Sequence, residues 1–140
     1  MTAAAPWLLL AALALAAGAA LALEGDRPRR LLGAPMEAEA NEEGVQRALR
    51  FAMSEYNKAS NDKYRSRAAE LVRARKQIVA GIKYYLTVKV GRTTCTKAES
   101  EDHECAFHEQ PELAKRITCN FVVYSVPWLN QITLMENNCQ

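Results

Sequence analysis

Ile82, Tyr84, Leu86, Val88 and Val90 alternate with Lys83, Tyr85, Thr87 and Lys89, the pattern of a strand with one buried face. Ile117, Cys119, Phe121 and Val123 alternate in the same way, and Ile132 and Leu134 begin a further alternating run. Upstream the period changes. Val45, Leu49, Ala52 and Tyr56 recur at helical spacing, with Ala48, Phe51 and Glu55 beside or opposite them. Asn41 is the expected N-cap of this amphipathic helix, Glu42 and Glu43 suit its positive end, and the polar Ser60-Asn61-Asp62 ends it.

Residues 64–79 are ambiguous. Ala68, Leu71, Val72, Arg75, Ile78 and Val79 fit helical spacing as well as any strand pattern. The clean strand that follows decides, because the short connection ending at Gly81 suits a hairpin, and a hairpin needs a strand on both sides. Residues 64–78 are therefore expected to be a strand. Residues 96–114 are polar, contain Pro111 and read as a loop. Ser125-Val126-Pro127-Trp128-Leu129-Asn130 is a second turn. The order is one helix and four antiparallel strands, with a short fifth strand conceivable after Pro35. A helix with one apolar face and a meander with one apolar face pack as helix on sheet, an α+β arrangement.

The N-terminus changes the picture of where the domain starts. An uncharged apolar run from Trp7 to Leu23 ends in Ala20-Leu21-Ala22, a small-x-small signal-peptidase site. Residues 1–22 are read as a signal peptide, 23–40 as an extended segment and 41–140 as the domain. Removing the leader leaves about 118 of the 140 residues, enough for one core. No later stretch is apolar and long enough for a membrane span. Charge is balanced, 18 Lys and Arg against 16 Asp and Glu, which argues against nucleic acid or an anionic membrane as partner. Arg27, Arg29 and Arg30 form a local basic cluster ahead of Leu31. No N-glycosylation sequon occurs. Cys95, Cys105, Cys119 and Cys139 imply two disulfides in a secreted domain, and three pairings are open.

Candidate chemistry sits at the turns. Gln77-Ile78-Val79-Ala80-Gly81 is an apolar tip where a polar turn is usual, and such tips mark contact sites. Its Gln-x-Val-x-Gly pattern, together with Leu31-Leu32-Gly33 upstream and Pro127-Trp128 downstream, resembles the secreted (type 2) cystatins, inhibitors of papain-like cysteine proteases. The likeness runs from about Leu31 to Gln140 and includes the cysteine spacing. It implies the cystatin fold, a long helix packed on a wrapped antiparallel sheet of four to five strands, and the pairing Cys95–Cys105 and Cys119–Cys139. It also implies a wedge: Leu31, Leu32, Gly33, Gln77, Ile78, Val79, Ala80, Gly81, Pro127 and Trp128 would line one edge and occlude the active-site cleft of a cathepsin, reversibly and competitively. The residue types suit that role. Ile78, Val79 and Ala80 are desolvated cheaply, Gly81 permits close backbone approach, and Trp128 is a large rigid anchor stiffened by Pro127. The competing account makes Ile78 and Val79 helix core, Trp128 a core aromatic and Leu31-Leu32 a first strand.

Ser60-Asn61-Asp62 is a separate candidate. Some secreted cystatins use a matching turn against legumain, an asparagine-specific protease, although Asn and Asp also end helices for local reasons. An enzyme reading fails: His103, Cys105, His108 and Glu109 match no common zinc spacing, and a secreted thiol is expected to be oxidised. No cofactor or metal is expected. The alternative function is a non-inhibitory extracellular cystatin-fold ligand or structural protein. A monomer is expected, although opening the Gln77–Gly81 hairpin would release an element for exchange between two copies.

Overall fold

The computed structural model describes residues 33–99 and 104–140. The expected signal peptide, Leu31, Leu32 and His103 lie outside the described residues. Five strands and one long helix follow in the order β1 (Met36–Glu37), α1 (Glu43–Ala59), β2 (Tyr64–Ile78), β3 (Ile82–Thr96), β4 (Arg116–Val126) and β5 (Gln131–Cys139). The sheet is antiparallel throughout, with strand order β1-β2-β3-β4-β5.

The helix packs on one face of this sheet. Val45, Ala48, Ala52 and Met53 meet Tyr84, Leu86, Val88 and Val90 of β3 and Cys119, Phe121 and Val123 of β4, all buried. The buried stripe of α1 is therefore turned slightly from the expected one: Ala48 and Met53 join it, while Leu49 and Tyr56 pack at its margin. Tyr56 meets Phe121 edge-on at 6.4 Å. A Cβ at Gly44 would lie 2.1 Å from the Tyr84 hydroxyl, so the start of the helix can approach β3 only because residue 44 has no side chain.

Asn41 is not the helix cap. Glu42 occupies that position and makes no side-chain cap bond. Its carboxylate instead pairs with Lys76 of β2 at 2.9 Å, which holds it below the usual carboxylate pKa range and fastens the helix start to the sheet. At the other end Asn57 grips β2 with both ends of its amide, donating to the Ser66 carbonyl (2.9 Å) and accepting from the Ser66 amide (2.8 Å).

Both disulfides pair as the resemblance implies. Cys119 and Cys139 face each other across β4 and β5, and Cys95–Cys105 ties the end of β3 to the following excursion. The part of that excursion from Ala106 to His108 carries its own ties to β3. Thr93 bridges Phe107, the Thr94 amide donates to Ala106 (2.9 Å), and the His108 amide donates to Arg92 (3.1 Å). The Phe107 ring lies against two guanidinium groups, Arg67 at 3.8 Å and Arg116 at 3.9 Å.

Candidate functional site

The β2–β3 hairpin turns at Val79-Ala80-Gly81, with Ile78 paired to Ile82. The Val79 amide donates to the Gly81 carbonyl at 2.9 Å. Ala80 and Gly81 both have positive φ, 47° and 150°. A Cβ at Gly81 would meet the Tyr124 ring and hydroxyl at 2.8 Å and the Ser125 carbonyl at 2.9 Å. Glycine is thus required at residue 81 twice over, by conformation and by space.

The β4–β5 connection is a single 3-10 turn, Pro127–Leu129, closed by Asn130 in the left-handed region. Proline at its first position fixes φ for the turn and sacrifices no needed amide. The turn holds no buried residue, and Trp128 is 68% exposed. Ile78 is 59% exposed. Neither residue belongs to the core, which removes the competing account in which they are ordinary interior residues. Leu129, also exposed, completes an apolar tip with Trp128. Sequence reasoning placed Leu129 in this turn but not in the site, because the family likeness rested on Pro127-Trp128 alone.

Three segments come together at this edge. Ile82 pairs with Ser125, so the two hairpin tips are neighbours. The Tyr124 hydroxyl reaches across to the first tip and donates to the Ala80 carbonyl at 2.9 Å. Gly33 lies on the other side, where its Cβ position is 3.4 Å from the Ile78 carbonyl and 4.0 Å from a Val79 methyl, and its φ is +84°. The Gln77 side-chain amide donates to the Gly33 carbonyl, and the Tyr85 hydroxyl donates to the Gln77 Oε1 at 2.6 Å. Gly33, Gln77, Ile78, Val79, Ala80, Gly81, Pro127 and Trp128 are therefore brought into one continuous edge. Gln77 differs from the others in carrying a polar side chain, and both ends of its amide are engaged within the protein.

Ser60-Asn61-Asp62 lies elsewhere, at the opposite end of β2, where Tyr64 pairs with Thr96. Asn61 is exposed between two committed neighbours. Ser60 Oγ accepts from the Asp62 amide (3.1 Å), and its carbonyl accepts from Lys97. Asp62 accepts from the Tyr64 amide (3.0 Å) and from Arg92 (2.7 Å). Burial pushes the Asp62 carboxyl upward, but the Tyr64 amide, the Arg92 guanidinium and the Lys115 charge outweigh it and hold the group below its ordinary pKa of 3.8.

Among the described residues, Cys105, His108 and Glu109 of the discarded enzyme reading form no centre. Cys105 is in a disulfide, and His108 packs edge-on against Tyr64 at 4.5 Å. Cys95, Glu99 and Cys105 approach one another, but both sulfurs are spent in that bond, so the group offers no thiolate to a metal. Among the described residues no helix is long and apolar enough to cross a membrane.

Comparison with known proteins adds an independent line. Residues 33–128 match the family model described as Cystatin domain. The chain is 58% identical over 132 residues to "Cystatin" of Gallus gallus, covering 94% of each chain. It is 56% identical over 138 residues to "Cystatin-C" of Macaca mulatta, covering 97% of this chain and 94% of that one. Among solved structures, dimeric human cystatin F superimposes with a TM-score of 0.72 at 32% identity, covering 82% of this chain and 92% of that chain.

Proposed function

This chain belongs to the cystatin family, whose members inhibit papain-like cysteine proteases and are not enzymes, and we propose that it is a secreted, reversible, competitive inhibitor that wedges its Gly33, Gln77–Gly81 and Pro127–Trp128 edge into the protease cleft. The observation that carries the reading is the exposure of Ile78 and Trp128 on tips whose backbones are already braced. Apolar groups held out on ordered turns gain from desolvation in a hydrophobic cleft and lose little conformational freedom on entering it. Gly33 suits the passage of the N-terminal segment past a crowded centre, with Leu31 and Leu32 then free to fill apolar substrate subsites. No bond in the inhibitor needs to break, so the complex dissociates to intact partners. Titration of the secreted form against papain and a cathepsin tests this. Stoichiometric, substrate-competitive inhibition is expected, and no inhibition at micromolar concentration would overturn it.

A second reading concerns legumain, favoured by the exposure of Asn61 between neighbours that fix its turn. Asn61→Ala is expected to abolish inhibition of legumain while leaving papain inhibition unchanged. Equal inhibition of legumain by wild type and variant would end that reading.

A further inference from the structure

On the face of the sheet turned away from α1, a short chain of polar groups runs toward the edge. Tyr85 stands beside Arg75 on β2 and Val122 on β4, its directly paired neighbours, and the Arg75 guanidinium lies 5.5 Å from its ring. Gln77 is paired with Lys83, so Tyr85 reaches it on the diagonal, two residues along the same face. The Tyr85 hydroxyl donates to Gln77 Oε1, and the Gln77 Nε2 donates to the Gly33 carbonyl.

The order of these bonds matters. A side-chain amide can turn either end toward a neighbour, but only its NH2 can donate to a carbonyl. The Gly33 carbonyl, which can only accept, selects the orientation in which NH2 faces it, and this leaves Oε1 to accept from the Tyr85 phenol, a second anchor that fixes the plane of the amide. If that phenol is lost, the amide keeps one anchor instead of two, and its hold on the Gly33 carbonyl loosens. The next backbone ties of this segment come at Met36, paired with Lys76, and at Ala38, whose amide donates to Ala74 at 2.9 Å. Gly33 thus depends on the Gln77 side chain for its place beside the first tip.

We propose that Tyr85 is a positioning residue for inhibition: by anchoring the Gln77 amide it steadies the Gly33 carbonyl, and so sets where the N-terminal segment leaves the hairpin to reach the protease. This rests on the inhibitor reading above. The role differs from that of an edge residue, because Tyr85 lies behind the tip and acts through two other groups.

Tyr85→Phe removes the hydroxyl and keeps the ring. In the full secreted chain it is expected to weaken papain binding about five- to tenfold, the scale of one well-placed hydrogen bond, with the thermal midpoint little changed. Added to a Leu31→Ala/Leu32→Ala chain, whose N-terminal segment has less to position, the same change should have almost no effect. Undiminished loss in that background, or no loss in the native one, would overturn the proposal. A second measurement does not depend on inhibition. In free protein the Gln77 side-chain NH2 protons should be shifted and slow to exchange, and Tyr85→Phe should diminish both properties. If the wild type fails to inhibit papain, the inhibitor reading falls, and with it the function assigned to Tyr85. An unaltered Gln77 amide signal in the variant would overturn the anchoring role itself.

Discussion

The two ends of the β2–β3 ladder, up to about 45 Å apart along the strand, are both turns, and they are built by opposite means. At the far end, Ser60-Asn61-Asp62 holds itself with its own side chains, and ionic groups finish the job: Arg92 on Asp62, Lys97 on the Ser60 carbonyl, Arg65 on the Glu99 carbonyl at 2.6 Å. At the near end, Ile78, Val79 and Ala80 have no polar side chains with which to hold a turn. Their backbone is braced from the next row by Tyr124 on Ala80, and the adjoining Gly33 is held by Tyr85 through Gln77, with neutral groups throughout. A tip made of apolar side chains cannot also supply its own scaffold, so the scaffold moves one row back.

This contrast can be broken at several points. Gly81→Val should be the most damaging change. It forces a β-branched side chain into positive φ and against the Ser125 carbonyl, and should cost about 3 kcal/mol of stability, read as a drop in the denaturation midpoint. Trp128→Ala should leave the midpoint alone and cost about 1–4 kcal/mol of papain affinity, measured by inhibition titration.

Asp62→Asn should do the reverse, lowering stability by about 1.5–3 kcal/mol at neutral pH while papain binding is unchanged. Its pH dependence follows from the lowered carboxyl. The folded state holds this proton less tightly than the unfolded chain, so the Arg92–Asp62 contribution is full above pH 3.8 and is lost as pH falls through the still lower folded value. The gap between wild type and Asp62→Asn should therefore close in acid, as followed by denaturant titration at several pH values. Tyr124→Phe should be the mildest, weakening papain binding by about 1 kcal/mol with little change in midpoint, because it frees the Ala80 carbonyl without altering packing.

The helix, β3, β4 and the placing of the hairpin tips were legible because period and turn residues agree there. The helical look of residues 64–79 has a physical cause. β2 carries register shifts between Ala68 and Glu70 and between Leu71 and Arg73, and each adds a residue to the alternation. The core-facing residues Ala68, Leu71 and Ala74 are consequently three apart, which a strand without bulges would not produce. Asn41 misled for another reason: the cap position went to a residue whose carboxylate had a better partner across the fold in Lys76. The edge residues could be read from local composition, but their braces could not. Tyr85 and Tyr124 look like ordinary alternating strand residues, and the Gln77–Gly33 bond joins positions 44 apart. Nothing in the neighbouring sequence marks such a pairing.

The Cys119–Cys139 bond closes β4, the Pro127–Leu129 tip and β5 into one covalent ring. A peptide bond cut within that tip would open the ring without dividing it, and the ladder from Cys119 to Val126 would keep the new ends close together. The first hairpin has no such closure. Cys95–Cys105 never reaches β2, so a cut at Val79 or Ala80 would leave two chains joined only by hydrogen bonds and packing. Against an enzyme whose trade is hydrolysis, the second loop is insured by its own covalent frame, whereas the first must avoid being cut at all.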